Sequence, residues 1–119
     1  MHARARIGRH GERHAERFLA QSGYRSSARN VRTPFGEIDL IMWDGTCLVF
    51  IEVKLRRTLR FGPPETAVTP QKLVRIQRAI AFVIARRRWV GPYRLDIVAI
   101  SHRRRAVDIA HFQNCAVGV

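Results

Sequence analysis

The 119-residue chain predicts a mixed α/β domain, a β-sheet flanked by helices, and three observations carry that reading. Two stretches, about residues 5–22 and 70–87, repeat apolar residues at helical spacing. The segment "GEIDLIMWDGTCLVFIEVK", residues 36–54, sets two apolar runs on either side of Asp44-Gly45, a strong tight-turn dipeptide. Near the end, "YRLDIVAI" and "AVDIAHF" add two further strand patterns. The order is α-β-β-α-β-β, with an extra short strand allowed before the hairpin. Hydrophobic residues make up 46%, enough for a core, and the length suits one domain over residues 1–119.

In the first helix, from Ala5 to Ser22, Gly8, Gly11, Ala15, Phe18 and Leu19 fall on one side. The arginines and histidines fall mostly on the other, and Glu12 lies toward the edge of the inner arc. Gly23 supplies a stop. "RNVR" reads as extended, and Pro34-Phe35-Gly36 turns the chain into the hairpin. "LRRTLRFGPPET" is loop by composition, and Thr69-Pro70 reads as an N-cap with proline at the first helical position. The second helix presents Leu73, Ile76, Ile80, Val83 and Ile84 as its buried stripe. No internal repeat or low-complexity linker interrupts the order.

Lys and Arg number 22 against 9 Asp and Glu, a formal net charge of +13. That excess favours a polyanionic partner, nucleic acid first. Twenty of the 22 basic residues are Arg, which a codon-biased genome would also produce, yet Arg56, Arg57 and Arg60, Arg86–Arg88 and Arg103–Arg105 are clustered. No apolar run reaches membrane-spanning length, so no membrane partner is expected, and no charged-then-apolar leader is present. The Arg-rich start resembles an organelle transit peptide, but it runs into a helical pattern containing Glu12 and Glu16 and reads as domain. Cys47 and Cys115 lack metal-ligand spacing, and Cys47 reads as a free buried thiol within a strand. A reducing, cytoplasmic setting is the default expectation.

The hairpin poses the main question, because Glu37, Asp39, Glu52 and Lys54 interrupt an otherwise apolar pattern. With Asp44-Gly45 as a two-residue turn, Glu37 faces Glu52, Asp39 faces Phe50 and Ile41 faces Leu48. All four charged side chains then project from one face, at one end. The other face is Ile38, Leu40, Met42, Cys47, Val49, Ile51 and Val53. Asp39 and Glu52 become diagonal neighbours roughly 5–8 Å apart. Carboxylates at that distance repel by about 2–3 kcal/mol at an effective dielectric of 20. Lys54 offsets part of this, and a hard divalent cation such as Mg²⁺ or Mn²⁺ would offset the rest. A metal beside an ammonium suits phosphodiester hydrolysis.

Lys54 and Lys72 are the two lysines among twenty arginines, which marks positions that need a compact, tunable ammonium. Spacing alone leaves a second reading open, in which Lys54 ends a strand and pairs with Glu52.

"FGEIDLI" followed by "VFIEVKLR" resembles the YraN-like family of small bacterial proteins. That group is similar to the restriction-endonuclease-like nucleases and the archaeal Holliday junction resolvases, with their D…(D/E)-x-K motif. The likeness extends over "GRHGERHAE", "NVRTPFGEIDLI", "EVKLRRTLRFG", "AVTPQKLVRIQRA" and "YRLDIVAI". It implies a restriction-endonuclease-like fold, with Asp39, Glu52 and the Val53 carbonyl as metal ligands. It also implies Lys54 as the catalytic lysine and Glu12 as an additional acidic residue. Gln71 and Lys72 take accessory positions at the start of the following helix, and Glu37 belongs to the "GEIDL" signature. Arg56, Arg57 and Arg60 are the nearest candidates for phosphate contacts. A homodimer is compatible with resolvase-like members, which often cut two strands.

Other constellations carry less. His10 and His14 are four apart but lie opposite Glu12 with no third ligand in view. Asp96 reads as a structural acid paired with an arginine, and Trp43 and Trp89 as packing residues. Two function classes follow: a metal-dependent nuclease acting on DNA, branched or non-duplex structures included, or a non-catalytic nucleic-acid-binding protein on the same scaffold. RNA stays open as a substrate, since no residue here reads the 2′-hydroxyl.

Overall fold

The computed structural model describes residues 2–56, 69–103 and 106–114, with side chains from residue 11 onward except 56, 102 and 103. Among the described residues, two helices and five strands follow the order α1 (His2–Gln21), β1 (Arg25–Thr33), β2 (Gly36–Trp43), β3 (Leu48–Arg56), α2 (Pro70–Arg87), β4 (Tyr93–Arg103) and β5 (Ala106–Phe112). The strands lie in one sheet in the order β1-β2-β3-β4-β5. Only β3 and β4 are parallel; the other neighbours are antiparallel. The parallel pair needs a crossover, and α2 supplies it. The chain is therefore α/β with a mixed sheet. The strand allowed before the hairpin is a full nine-residue strand, β1, so the order is α-β-β-β-α-β-β.

The helices cover opposite faces. Ala15 and Leu19 of α1 pack on Leu40, Met42, Val49, Ile51, Val98 and Ile100. Ala79, Ile80 and Val83 of α2 pack on Ile38, Ile41, Leu48, Phe50 and Leu95. Alternate strand residues thus feed two cores, as expected for a sheet buried on both sides. At Gly11, α1 runs close to β3: a Cβ there would stand 2.6 Å from the Leu55 side chain. Gly23 adopts φ +95° and ends α1, with Tyr24 N–H donating to the Leu19 carbonyl at 3.1 Å. Thr69 caps α2, accepting from Lys72 N–H at 3.2 Å, with Pro70 at the first turn.

The hairpin departs from its expected register. Its loop spans four residues, Asp44 to Cys47, and Ile41 opposes Phe50 instead of Leu48. Asp44 causes the change, because its carboxylate accepts from Thr46 N–H at 2.8 Å and Cys47 N–H at 2.6 Å. The acid folds back over its own loop and the turn moves along by one residue. Cys47 consequently sits in this loop, outside the strand expected for it, as a buried free thiol. A shift of two in the pairing preserves which residues share a face, with one exception. Ile38 packs toward α2, whereas Leu40, two residues on, packs toward α1. The alternation slips at Asp39, where the β2–β3 ladder also stops after Leu40↔Ile51. Residues 57–68, with the "RTLRFGPPET" part of the loop, and Cys115 lie outside the described residues.

Candidate functional site: a carboxylate and lysine cluster at the end of the β2–β3 ladder

Asp39 occupies the position where β2 and β3 part. One of its oxygens accepts from Val53 N–H at 2.8 Å, which substitutes for the next ladder bond. From β2, Glu37 and Asp39 meet Glu12 of α1: each offers a carboxylate oxygen, and these atoms lie within 4.8 Å of one another. Asn30, opposite this point on β1, adopts a left-handed φ of 50°. With its amide nitrogen turned toward the acids, it donates to Glu12 at 2.7 Å and to Glu37 at 3.1 Å. Asparagine tolerates that backbone conformation and brings the donor needed here. Asn30 did not stand out in the sequence, where only the type of residue hinted at its backbone.

Glu52 enters from β3 and faces the other layer. Its carboxylate meets Lys54 Nζ at 3.4 Å and Lys72 Nζ at 3.4 Å. Lys72 comes from the first turn of α2, which the Thr69 cap fixes. The Glu52 and Lys54 side chains are only 12% and 18% exposed, so this ion pair is poorly screened.

Electrostatics tie the two halves together. Burial, then the Glu52 charge, then Glu12 and Glu37 push the Asp39 carboxyl up to about 8, against the Val53 hydrogen bond. Burial, with the neighbouring Lys72 adding to it, holds the Lys54 amine below the ordinary lysine range despite Glu52. Burial works against the Lys72 ammonium too, yet the Lys54 amine and the Glu52 carboxylate raise it on balance. The Lys54 amine is thus shifted toward its neutral form and the Lys72 amine toward its charged form.

Two clefts open beside the cluster. One, about 450 Å³, runs along α1 and β1 and is lined by Glu12, Arg13, Glu16, Arg17, Arg29, Asn30 and Leu40. Another, about 290 Å³, lies between the β1–β2 turn and α2, with Glu37, Glu52, Lys72 and Arg75 in its wall. Glu12 thus lines one partly basic cleft, and Glu37 and Glu52 line the other.

Among the expected site residues, Glu12, Glu37, Asp39, Glu52, Lys54 and Lys72 come together, and the Val53 N–H holds Asp39. The acids do not all share one face as expected: Glu37 and Asp39 reach α1, whereas Glu52 reaches α2. Gln71 is exposed beside Lys72. Arg56 ends β3 with its side chain undescribed, and Arg57 and Arg60 lie outside the described residues. Arg13, Arg17, Arg29 and Arg75 line the clefts without having been singled out in the sequence.

The model of the family described as "Uncharacterised protein family UPF0102" matches residues 11–100, a span that includes every one of these site residues. The chain belongs to the UPF0102 family. This is the YraN-like group that the hairpin signatures resemble. A UPF0102 protein of Desulfosudis oleivorans is 41% identical over 110 residues, covering 92% of this chain and 89% of the relative. One of Symbiobacterium thermophilum is 48% identical over 99 residues, covering 80% and 81%. A third, of Cytophaga hutchinsonii, is 45% identical over 99 residues, covering 83% and 88%. Among the described residues of this UPF0102 chain, no helix is long and apolar enough to cross a membrane.

A second polar cluster lies nearer the hairpin loop. Asp96, fully buried, accepts from Arg94 Nε at 3.0 Å and Asn114 N–H at 2.9 Å, and His111 Nε2 lies 2.7 Å away. Arg94 also bonds Tyr24 Oη at 2.7 Å and pairs with Asp44. Asp96 is therefore paired with an arginine, as expected.

Proposed function

We propose that this protein is a metal-dependent nuclease that hydrolyses phosphodiester bonds in DNA, on a restriction-endonuclease-like scaffold. The observation that carries the reading is the charge imbalance around Asp39. Three carboxylates, Glu52, Glu12 and Glu37, act on a fourth, Asp39, and one of the two nearby amines is held below its ordinary proton affinity. Stability alone gives no reason for that arrangement. The donor set fits Mg²⁺ or Mn²⁺, because Glu12, Glu37 and Asp39 offer hard oxygens within one coordination sphere's reach. A bound cation would offset the burial and the repulsion that together push Asp39 up to about 8. Glu52 and the Val53 carbonyl are the further ligands implied by the D…E-x-K pattern.

When bound, the ion would supply Lewis-acid polarisation of a phosphate oxygen and acidify a water. The chain's own groups do the rest. Lys54 Nζ, in its neutral form, accepts a proton from the attacking water as the new O–P bond forms. Lys72, still an ammonium, faces the negative charge that develops on the phosphate. Glu52 holds both amines, and the leaving sugar oxygen takes its proton from solvent as the old P–O bond breaks. The net charge of +13 and the arginines along both clefts favour an anionic polymer as substrate. Cytoplasmic location follows from that substrate, and a homodimer would bring two such sites to two strands.

The test is cleavage of labelled single-stranded, duplex, flap and four-way-junction DNA and matching RNA, with Mg²⁺ or Mn²⁺ and with EDTA. Cleavage that needs metal and is lost in Glu52→Ala and Lys54→Ala is the expected result. Binding without cleavage by the wild-type chain would instead make it a nucleic-acid-binding protein on a nuclease scaffold.

A further inference from the structure

We propose that the cleft between the β1–β2 turn and α2 seats a single unpaired nucleotide, whose base stacks on Phe35. This rests on the nuclease reading and specifies its substrate as a strand that is unpaired beside the cut.

Phe35 sits at the tip of the two-residue turn joining β1 to β2, with 41% of its surface exposed. It belongs to neither core cluster. The turn around it is nonetheless fixed. Thr33 Oγ1 accepts from Phe35 N–H at 3.1 Å and donates to the Gly36 carbonyl at 2.6 Å. Gly36 adopts φ +132°, a conformation that side-chain-bearing residues rarely take. An exposed aromatic ring on a pinned turn is a preorganised platform, with little ordering left to lose on binding.

The surroundings fit a nucleotide. Lys72 and Arg75 line the same cleft as Phe35 and offer cations for the phosphate. Glu52, already paired with Lys54 and Lys72, lies in its wall, so a nucleotide seated here has its phosphodiester beside the cluster. At about 290 Å³ the cleft holds one nucleoside and excludes a base pair with its complementary strand. Phenylalanine offers a π-face and no hydrogen-bonding group, so the platform accepts every base.

The experiment measures binding of single-stranded DNA, single-stranded RNA and blunt duplex of one sequence in Ca²⁺, for wild type, Phe35→Ala and Phe35→Trp. Thermal unfolding confirms that the variants fold. Phe35→Ala is expected to weaken single-strand binding about 5- to 100-fold on both sugar types and to leave duplex binding within about twofold, with Phe35→Trp restoring it. Equal weakening on single strand and duplex, or none on either, overturns the inference. Flap cleavage in Mn²⁺ separates it from the reading it rests on. Undiminished cutting by Phe35→Ala overturns the stacking and keeps the nuclease. Phe35-dependent binding without cutting does the reverse, and a chain that binds no nucleic acid removes both.

Discussion

Two polar clusters sit on one sheet and are resolved in opposite ways. Around Asp96, the acids Asp44 and Asp96 surround Arg94, while His111, Tyr24 and Asn114 complete the hydrogen bonding. Burial opposes the charge on Asp96, yet its bonds to His111 and Arg94 hold the carboxyl below its ordinary value. Around Asp39, Glu12, Glu37 and Glu52 share one region, and the same burial wins. A charge buried with its partners strengthens the fold, whereas a carboxyl buried among its equals holds on to its proton. The first cluster is paired within the chain; in the second, Lys54 and Lys72 pair with Glu52, while Asp39 sits among the acids.

The contrast can be broken most forcefully at Arg94. Arg94→Ala strips a fully buried acid of its guanidinium partner and should cost about 3–5 kcal/mol in urea unfolding. A loss below 1 kcal/mol would mean the network does little for the fold. At the other cluster, Asp39→Asn or Glu52→Gln should lower metal-dependent cleavage by about 10²–10³-fold, or about 2.7–4 kcal/mol in the barrier. Asp39→Asn should leave the urea midpoint in EDTA unchanged, since the amide oxygen still accepts from Val53 N–H. Glu52→Gln should lower it by stripping Lys54 and Lys72 of their carboxylate. A large drop in Asp39→Asn would make Asp39 structural.

The pH dependence sharpens the comparison further. The Asp39 carboxyl is raised from an ordinary 3.8 to about 8, so the fold holds that proton more tightly than the unfolded chain does. Its contribution is present below about pH 4 and is lost as pH rises through 8. Asp44 is lowered from 3.8 to about 2: burial raises it, but the Thr46 N–H, Arg94 and Cys47 N–H bonds prevail. Its contribution is present above about pH 4 and is lost as pH falls through 2. Urea midpoints in EDTA should therefore decline from pH 5 to 8 in wild type and flatten in Asp39→Asn, while millimolar Mn²⁺ restores the wild-type value at pH 8. A decline unchanged in Asp39→Asn would assign it to another group. The smallest effect belongs to Thr69→Ala, which uncaps α2 and should cost about 1 kcal/mol. Because Lys72 stands in that turn, cleavage should fall with it; unchanged cleavage would separate Lys72 from the chemistry.

Much of this was legible in the chain because it is local. Gly23, Thr69-Pro70 and the apolar spacing of residues 70–87 mark their elements through neighbouring residues alone. That Asp39, Glu52 and Lys54 lie close together was legible as well, since their spacing puts them at one end of the hairpin. The faces of the hairpin survived an error in its register, because a shift of two leaves the alternation intact. Ile38 escaped that rule because Asp39 bonds Val53 N–H where the ladder ends, a contact that neither strand encodes by itself.

The sequence by itself determined the elements, the α/β class, the family signature and the acids and lysines of the candidate site. Tertiary structure alone decided how those charges divide: Glu12 and Asn30 joining Glu37 near Asp39, Lys72 reaching Glu52, and Arg94 closing on Asp44 across 50 residues. The reason is one of range. Backbone preference and hydrophobic period act over a turn or two, whereas the sign and strength of a charge's surroundings depend on distant elements that only packing brings within a few ångströms.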